Sequence, residues 1–75
     1  MYGTTWCADC HRAKRFLESR GVGYVWIDIE QDDAAYALVL ERNEGKRIVP
    51  TIVFGDGTHL AEPTNDELAR KLDER

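Results

Sequence analysis

Cys7 and Cys10 are the residues of this 75-residue chain whose type and spacing most clearly point to chemistry. They are its only two cysteines, and their Cys-x-x-Cys spacing closes a loop too short for a structural disulfide to stabilise the fold much. A pair with this spacing, in a chain where we expect no export signal, indicates redox chemistry or metal binding. The sequence therefore predicts a reactive dithiol rather than a structural cross-link.

The cysteine pair lies at the start of a predicted helix, residues 8–20. The free backbone amides and the positive dipole end at a helix start stabilise a thiolate, which we expect at Cys7. Cys10 lies one turn later on the apolar face and is expected to be more buried and less nucleophilic. This asymmetry suits a two-step exchange in which Cys7 attacks a disulfide and Cys10 releases the reduced substrate. Trp6, directly before Cys7, is expected to give the substrate an apolar platform.

Pro50 is the second informative residue, because it interrupts an apolar segment, residues 48–54, that otherwise predicts a strand. Proline removes a backbone donor and is confined to edge strands or special positions of a sheet. We expect the Val49–Pro50 bond to be cis and to face the Cys7 sulfur. The backbone of Val49 would then be free to pair with an extended substrate. An edge-strand proline without a binding role is the alternative.

The remaining pattern predicts the elements that must hold these residues in place. The order is β-α-β-α-β-β-α, with strands at residues 1–4, 24–29, 48–54 and 58–61 and helices at residues 8–20, 34–43 and from Thr64 onward. The first strand–helix–strand unit implies parallel pairing, and the tight turn at residues 55–57 implies a hairpin. The predicted fold is α/β, a three-layer α/β/α sandwich with a mixed four-stranded sheet, formed by one domain over residues 1–75.

Three of these elements carry more detailed expectations. The strand at residues 24–29 is almost wholly apolar, which favours burial on both faces, as in a central parallel strand. The last helix is expected to begin with a capping box formed by Thr64 and Glu67. In the second helix, the face predicted to be buried consists of Tyr36, Val39, Leu40 and Asn43.

Composition and charge argue against several classes of protein. Lys and Arg total 10 against 14 Asp and Glu, and a formal net charge of −4 disfavours nucleic acid as a partner. No segment approaches the roughly 18 uninterrupted apolar residues of a membrane span. The first residues contain neither a basic segment nor an apolar run, so no signal peptide is expected. We therefore expect a cytoplasmic protein that binds neither nucleic acid nor membrane. A monomer is also expected.

Taken together, the motifs resemble the glutaredoxin family of the thioredoxin fold. The resemblance spans nearly the whole chain and is nearest to the mycoredoxin and glutaredoxin-like branch. It rests on Trp-Cys-x-x-Cys at residues 6–10, the strand at 24–29, Val49-Pro50 and the approach to the last helix at 62–67. It implies that Cys7 is the nucleophile, that Cys10 is the resolving thiol and that Pro50 is a cis-proline.

The resemblance also implies where a low-molecular-weight thiol would bind. Backbone groups of Val49 and Pro50 would hold its cysteinyl part, and the basic residues Lys46 and Arg47 would hold a carboxylate. Polar residues at the start of the last helix would hold its γ-glutamyl end. The candidates there are Thr64, Asn65 and Asp66.

Two departures from the family pattern leave the electron donor open. Thr4 stands where many glutaredoxins have a lysine, and residues 61–63 replace a Gly-Gly pair. The reductant is therefore expected to be mycothiol, glutathione, another low-molecular-weight thiol or a donor of the thioredoxin-reductase type. The substrates would be mixed disulfides with such thiols, or disulfide-containing proteins. No bound cofactor is expected, because the dithiol itself carries the electrons.

Metal chemistry is the alternative from a different functional class. The segment from Cys7 to His11 matches the Cys-x-x-Cys-His haem motif, but the chain has no suitable distal ligand. A tetrahedral zinc site would need four ligands, and the adjacent Cys10 and His11 cannot easily share one metal. An iron–sulfur cluster shared by two chains through Cys7, as in some relatives, stays open. Thiol–disulfide exchange is the predicted function, with an iron–sulfur carrier or metal-binding module as the alternative.

Overall fold

The computed structural model describes residues 1–74, and these form the seven elements that the sequence predicts, in the predicted order. The strands are β1 (Tyr2–Gly3), β2 (Ile27–Asp28), β3 (Thr51–Val53) and β4 (His59–Ala61), and the helices are α1 (Ala8–Ser19), α2 (Asp33–Arg42) and α3 (Asn65–Leu72). No helix in this part of the chain is long and apolar enough to span a membrane. The predicted domain boundary at residue 75 lies outside the described residues.

The four strands form one sheet in the order β2-β1-β3-β4. β1 is parallel to β2, with Tyr2 opposite Ile27, and antiparallel to β3, with Tyr2 opposite Thr51. β3 and β4 are antiparallel, so the predicted mixed sheet is confirmed. Cys7 follows β1 at the end of the sheet where β2 also ends and β3 begins, which we call the cysteine end. The turn at residues 55–57 lies at the opposite end, which we call the hairpin end.

Helices cover both faces of the sheet, which confirms the three-layer architecture. α1 and α3 pack on one face, and α2 packs on the other. The first core consists of Met1, Ala13, Leu17, Ile52 and Leu68, and the second of Ile29, Ala35 and Val39. Because the apolar stripe of α1 lies in the first core, the start of this helix is fixed at the cysteine end.

The prediction of a central strand over residues 24–29 is wrong. Only Ile27–Asp28 pairs with a neighbour, and this strand lies at the edge of the sheet. The segment is apolar because Tyr24 packs against the first core, whereas Ile29 is buried in the second. Burial on both faces does not require a hydrogen-bonded neighbour on both edges. Val25 belongs to neither core and is 72% exposed.

The prediction that Tyr36 lies on the buried face of α2 is also wrong. Tyr36 is 38% exposed, and Ala35 is buried instead. Val39 and Asn43, which follow Ala35 by four and eight residues, are buried as predicted. The buried face therefore begins one residue earlier than predicted, at Ala35, which packs in the second core with Val39 and Ile29.

The strand predicted over residues 48–54 begins only at Thr51. Pro50 lies before the strand rather than inside it, since proline has no N–H for the ladder. Its carbonyl still accepts a hydrogen bond from the Glu62 N–H at 2.8 Å, which continues the pairing toward the chain beyond β4. Pro50 therefore contributes to the pairing through its acceptor and not through a donor.

Candidate active site

Cys7 is the N-cap residue of α1, with extended backbone angles φ −81° and ψ 115°. Its sulfur accepts a hydrogen bond from the Cys10 N–H at 3.2 Å, in the place where a Ser or Asp oxygen usually caps a helix. A backbone N–H and the positive end of the helix dipole both favour negative charge on this sulfur. The first turn of α1 thus provides the environment that a nucleophilic thiolate needs.

Cys10 lies on the inner side of the same turn and has no exposed surface, whereas Cys7 is 8% exposed. Cys10 packs so closely against β1 that a β-carbon on Gly3 would lie 2.5 Å from its sulfur. Burial, together with the contact to the Cys7 sulfur, raises the pKa of the Cys10 thiol to about 12. A hydrogen bond to the Thr4 backbone and the charge of Lys14 oppose this rise but do not cancel it. At neutral pH, Cys10 is therefore a protonated thiol.

The Val49–Pro50 peptide bond is cis, which confirms the prediction. The Cys7 thiol lies 3.9 Å from the Val49 carbonyl oxygen and donates to it, so the loop also faces the Cys7 sulfur as predicted. Pro50 is fully buried, and Val49 is half-buried. The pairing of the Val49 backbone with an extended substrate stays a prediction.

A buried side-chain network supports this loop from α2. The Asn43 amide donates to the Val39 carbonyl at 2.8 Å and to the Thr51 hydroxyl at 3.0 Å. The Thr51 hydroxyl donates in turn to the Ile48 carbonyl at 2.7 Å. The position of the loop beside Cys7 is thus set by the C-terminal end of α2.

Trp6 lies beside Cys7 and is 61% exposed, yet both the edge and the face of its ring have partners. The indole N–H donates to the Glu30 carboxylate at 3.0 Å, and the Arg47 guanidinium carbon lies 5.6 Å from the ring centroid. The structure thus brings together Trp6 and Arg47, two predicted site residues. Lys46, the other predicted basic residue, is exposed.

The start of α3 borders a cleft of about 360 Å³ on the cysteine end. It contains the three predicted polar residues of α3, together with residues of the α1 first turn and the β4–α3 connection. The lining consists of Asp9, Arg12, Glu62, Pro63, Thr64, Asn65 and Asp66. The predicted residues are therefore in one place, but Cys7 is not one of the residues that line this cleft.

Two of these predicted residues already have partners. The capping box is confirmed: the Glu67 N–H donates to the Thr64 hydroxyl at 3.1 Å, and the Thr64 N–H donates to Glu67 Oε1 at 3.0 Å. Arg12 donates to Asn65 Oδ1 and to the Pro63 carbonyl, both at 2.6 Å. The side-chain oxygens of Thr64 and Asn65 therefore hold the start of α3 in place, and their roles toward a thiol substrate stay predictions.

Sequence reasoning missed the contacts of both Glu30 and Arg12. Glu30 follows β2 by two residues, at the sheet end where Cys7 follows β1. Parallel strands bring such positions together, so the strand order would have indicated Glu30. Arg12 meets the start of α3 across 53 residues of sequence, and no local pattern signals such a contact.

Within residues 1–74, no group of three or more His, Cys, Asp or Glu side chains is placed to hold a metal ion. Both cysteines are free thiols. The arrangement therefore offers one slightly exposed sulfur at a helix start and one buried, protonated thiol directly behind it.

The model of the glutaredoxin family matches residues 1–60. The chain belongs to the glutaredoxin family. A Mycobacterium tuberculosis protein named as a glutaredoxin is 42% identical over 72 residues, which cover 96% of this chain and 86% of that protein. Mycoredoxin 1 of Corynebacterium glutamicum is 38% identical over 73 residues, which cover 97% of this chain and 90% of that protein. Glutaredoxins are thiol–disulfide oxidoreductases, and their partners carry thiols or disulfides.

A third relative, the glutaredoxin-like protein NrdH of Escherichia coli, is 35% identical over 57 residues. The alignment covers 75% of this chain and 67% of that protein. The family thus accounts for the fold and for the class of reaction.

Proposed function

We propose that this glutaredoxin-family protein reduces disulfides through a dithiol mechanism in which Cys7 attacks and Cys10 resolves. The observation that carries the proposal is the contrast between the two sulfurs. Cys7 retains some exposure and accepts a backbone N–H at the start of α1, whereas Cys10 is completely buried and its pKa is raised by that burial. One sulfur is thus suited to attack from outside, and the other to wait as a thiol behind it.

The exchange balances within the dithiol and its substrate. The Cys7 thiolate forms a bond to one sulfur of the substrate disulfide, and the other sulfur leaves as a thiolate that takes up a proton. Cys10 then loses its proton and attacks the Cys7 sulfur of the mixed disulfide. The second substrate thiol leaves, and a Cys7–Cys10 disulfide remains. Two electrons have passed from the protein to the substrate, and a donor must return them.

The proximity of the Cys10 N–H to the Cys7 sulfur supports the second step. The backbone of Cys10 lies 3.2 Å from the sulfur that its own side chain must attack. Cys10 packs against β1, where Gly3 leaves space for its sulfur, and the nearby Cys7 sulfur contributes to its raised pKa. Attack is therefore expected to occur after the bond to substrate has removed the negative charge of Cys7, which favours release of the Cys10 proton.

The proposed substrates are mixed disulfides with low-molecular-weight thiols, or protein disulfides. Trp6, Arg47 and Val49 would contact the substrate on one side of Cys7. The proposed donor is mycothiol, glutathione or a reductase of the thioredoxin-reductase type, and no resident cofactor takes part. A monomeric state and a cytoplasmic location stay predictions.

A donor comparison with two cysteine variants tests this function. Reduction of a protein disulfide and of a small mixed disulfide is measured with mycothiol, glutathione and thioredoxin reductase in parallel. Cys7→Ser should lose both activities. Cys10→Ser should lose protein disulfide reduction but still remove a small thiol from a mixed disulfide, because that route uses Cys7 alone.

Mapping of the trapped intermediate gives the contradicting outcome. Cys10→Ser treated with a disulfide substrate should carry the adduct on Cys7 when analysed by mass spectrometry. Full activity of Cys7→Ser would remove Cys7 from the mechanism. A visible absorption band in freshly purified protein that disappears in Cys7→Ser would replace the proposal with the iron–sulfur alternative.

A further inference from the structure

The Trp6 ring is a large apolar surface that is kept in water and yet is fixed in orientation. Its N–H donates to Glu30 Oε1 at 3.0 Å, and Arg47 lies over its face. These three residues come from three different segments: the loop after β1, the residues after β2 and the loop before β3. The exposed Trp6 ring is therefore held in position by its contacts with Glu30 and Arg47, and not by burial.

Glu30 itself is anchored at its backbone. Its N–H donates to Asp28 Oδ1 at 2.9 Å. The preceding residue, Ile29, is 2% exposed, and its N–H donates to the Gly3 carbonyl at 3.0 Å. The carboxylate therefore extends from a fixed point next to the core. The strand after which it stands is paired directly with β1, which leads to Cys7.

We propose that Glu30 is a positioning residue for disulfide exchange, which holds the Trp6 ring as a preformed wall of the substrate site beside Cys7. The inference rests on the proposed function of Cys7. A hydrogen bond to a charged acceptor is stronger than one between neutral groups, and here it fixes a ring that water would otherwise leave free to rotate. A ring that is already ordered before the substrate arrives reduces the entropy that is lost on binding.

The consequence is a specific kinetic signature. Loss of the Glu30 acceptor should weaken substrate binding, because the ring must then be ordered when the substrate arrives. The sulfur chemistry of Cys7 should be unaffected, because the hydrogen bonds of Glu30 are to Trp6 and Asp28 and not to the sulfur. The substrate concentration that gives half of the maximal rate should therefore rise, while the maximal rate should stay the same.

The experiment uses the reduced full-length protein and a neutral cyclic peptide that contains one disulfide. Single-turnover reduction needs no external donor, and its rate is measured against peptide concentration. Glu30→Ala should raise the half-saturating concentration about fivefold, the effect expected of a charge-assisted hydrogen bond at the surface. Glu30→Gln keeps an oxygen acceptor and should restore most of the binding. Glu41→Ala, which removes an exposed carboxylate from α2, is the charge-matched control and should match the wild type.

Coupling to Trp6 distinguishes positioning from a general effect. Trp6→Phe removes the donor N–H, so adding Glu30→Ala to Trp6→Phe should cause no further change. In a Trp26→Phe background, the fluorescence anisotropy of Trp6 should fall in Glu30→Ala and recover in Glu30→Gln. An equal effect of Glu30→Ala with and without Trp6, or unchanged anisotropy, would overturn the proposal.

A failure of the proposed function can be distinguished from a failure of the role proposed for Glu30. If wild-type protein does not reduce the peptide, the dithiol mechanism is contradicted for such substrates, while the anisotropy measurement still reports whether Glu30 orders Trp6. If wild-type reduction proceeds and Glu30→Ala binds the peptide equally well, only the role of Glu30 is removed.

Discussion

The two ends of the sheet differ in how their polar groups are paired within the protein. At the hairpin end, Asp56 accepts from the Lys71 ammonium at 2.7 Å and from the Thr58 hydroxyl at 2.6 Å, and Lys71 also lies 5.3 Å from the centroid of the Phe54 ring. At the cysteine end, the Cys7 sulfur has only a backbone N–H and a distant carbonyl, and Trp6 presents its ring to water. The hairpin end satisfies its own charges, whereas the cysteine end keeps contact surface available for another molecule.

The difference shows that close packing and surface charge pairing are separated along strands only two or three residues long. The cysteine end combines two helix starts and a close approach of α1 to β1. Such close approach leaves little tolerance for added atoms. The hairpin end depends on one exposed charge cluster, which tolerates change more easily. Three substitutions test this separation, ordered from the largest expected effect to the smallest.

Gly3→Ala is expected to disturb the cysteine end most. The added β-carbon would lie 2.5 Å from the Cys10 sulfur and 2.7 Å from the Trp26 ring, so atoms on both sides must shift. Overpacking of this kind typically costs about 1–3 kcal/mol of unfolding free energy. Urea unfolding measures the loss, and single-turnover reduction should slow because the resolving thiol is displaced.

Gly23→Ala is the matched control, because nothing lies within 4 Å of a β-carbon at that position. Its unfolding free energy and its rate of disulfide reduction should stay close to those of the wild type. If both glycine variants lost the same stability, the close contact at Gly3 would not be the cause.

Deprotonation of Cys10 is expected to lower the free energy of unfolding at alkaline pH. Burial raises its pKa from 9.0 to about 12 in the folded protein. The resulting stabilisation is complete below about pH 9 and is lost as the pH rises toward about 12, because the unfolded chain releases this proton first. Reduced wild-type protein should therefore lose unfolding free energy more steeply than Cys10→Ser between about pH 9 and 11.

Urea titrations at a series of pH values measure this difference. Tyr24 and Lys71, whose pKa values are also raised, are present in both proteins, so their contributions cancel in the comparison. Parallel pH profiles for the two proteins would show that the burial of Cys10 does not couple to folding.

Asp56→Asn should have the smallest effect and should act on the acid side. The hydrogen bond from Lys71, followed by those from Thr58, holds the pKa of Asp56 below its ordinary value of 3.8. This stabilisation is present above that value and is lost as the pH falls through the lower folded-state pKa. At neutral pH, the variant should unfold at a slightly lower urea concentration than the wild type. The difference between the two unfolding midpoints should narrow as the pH falls toward about 2.

Disulfide reduction by Asp56→Asn is the internal control for the comparison. The substitution lies at the hairpin end, so the rate with the cyclic peptide should equal that of the wild type. A slower rate would show that the two ends are coupled through α3, whose start borders the cleft and whose last turn carries Lys71.

The features that sequence predicted well are those encoded in a few neighbouring residues. The Cys7–Cys10 spacing, the Thr64–Glu67 capping box and the special position of Pro50 each depend on local chemistry. The features it missed depend on which segments meet. Glu30 reaches Trp6 across 24 residues, and Arg12 reaches Asn65 across 53. The strand at residues 24–29 was misplaced for a related reason, because apolar character records burial but not the number of paired neighbours.

The hydrogen bond from the Asn43 amide to Thr51 constrains the length of α2, the helix whose C-cap residue is Asn43. Each residue of an α-helix turns the next side chain by about 100°. Deleting or inserting one residue within α2 would rotate Asn43 away from the Thr51 hydroxyl and release the loop that ends at Pro50. Point changes on the outer face of α2 would leave this contact intact. Among related sequences, we expect the outer face of α2 to vary in composition while the number of residues between Asp32 and Asn43 stays fixed.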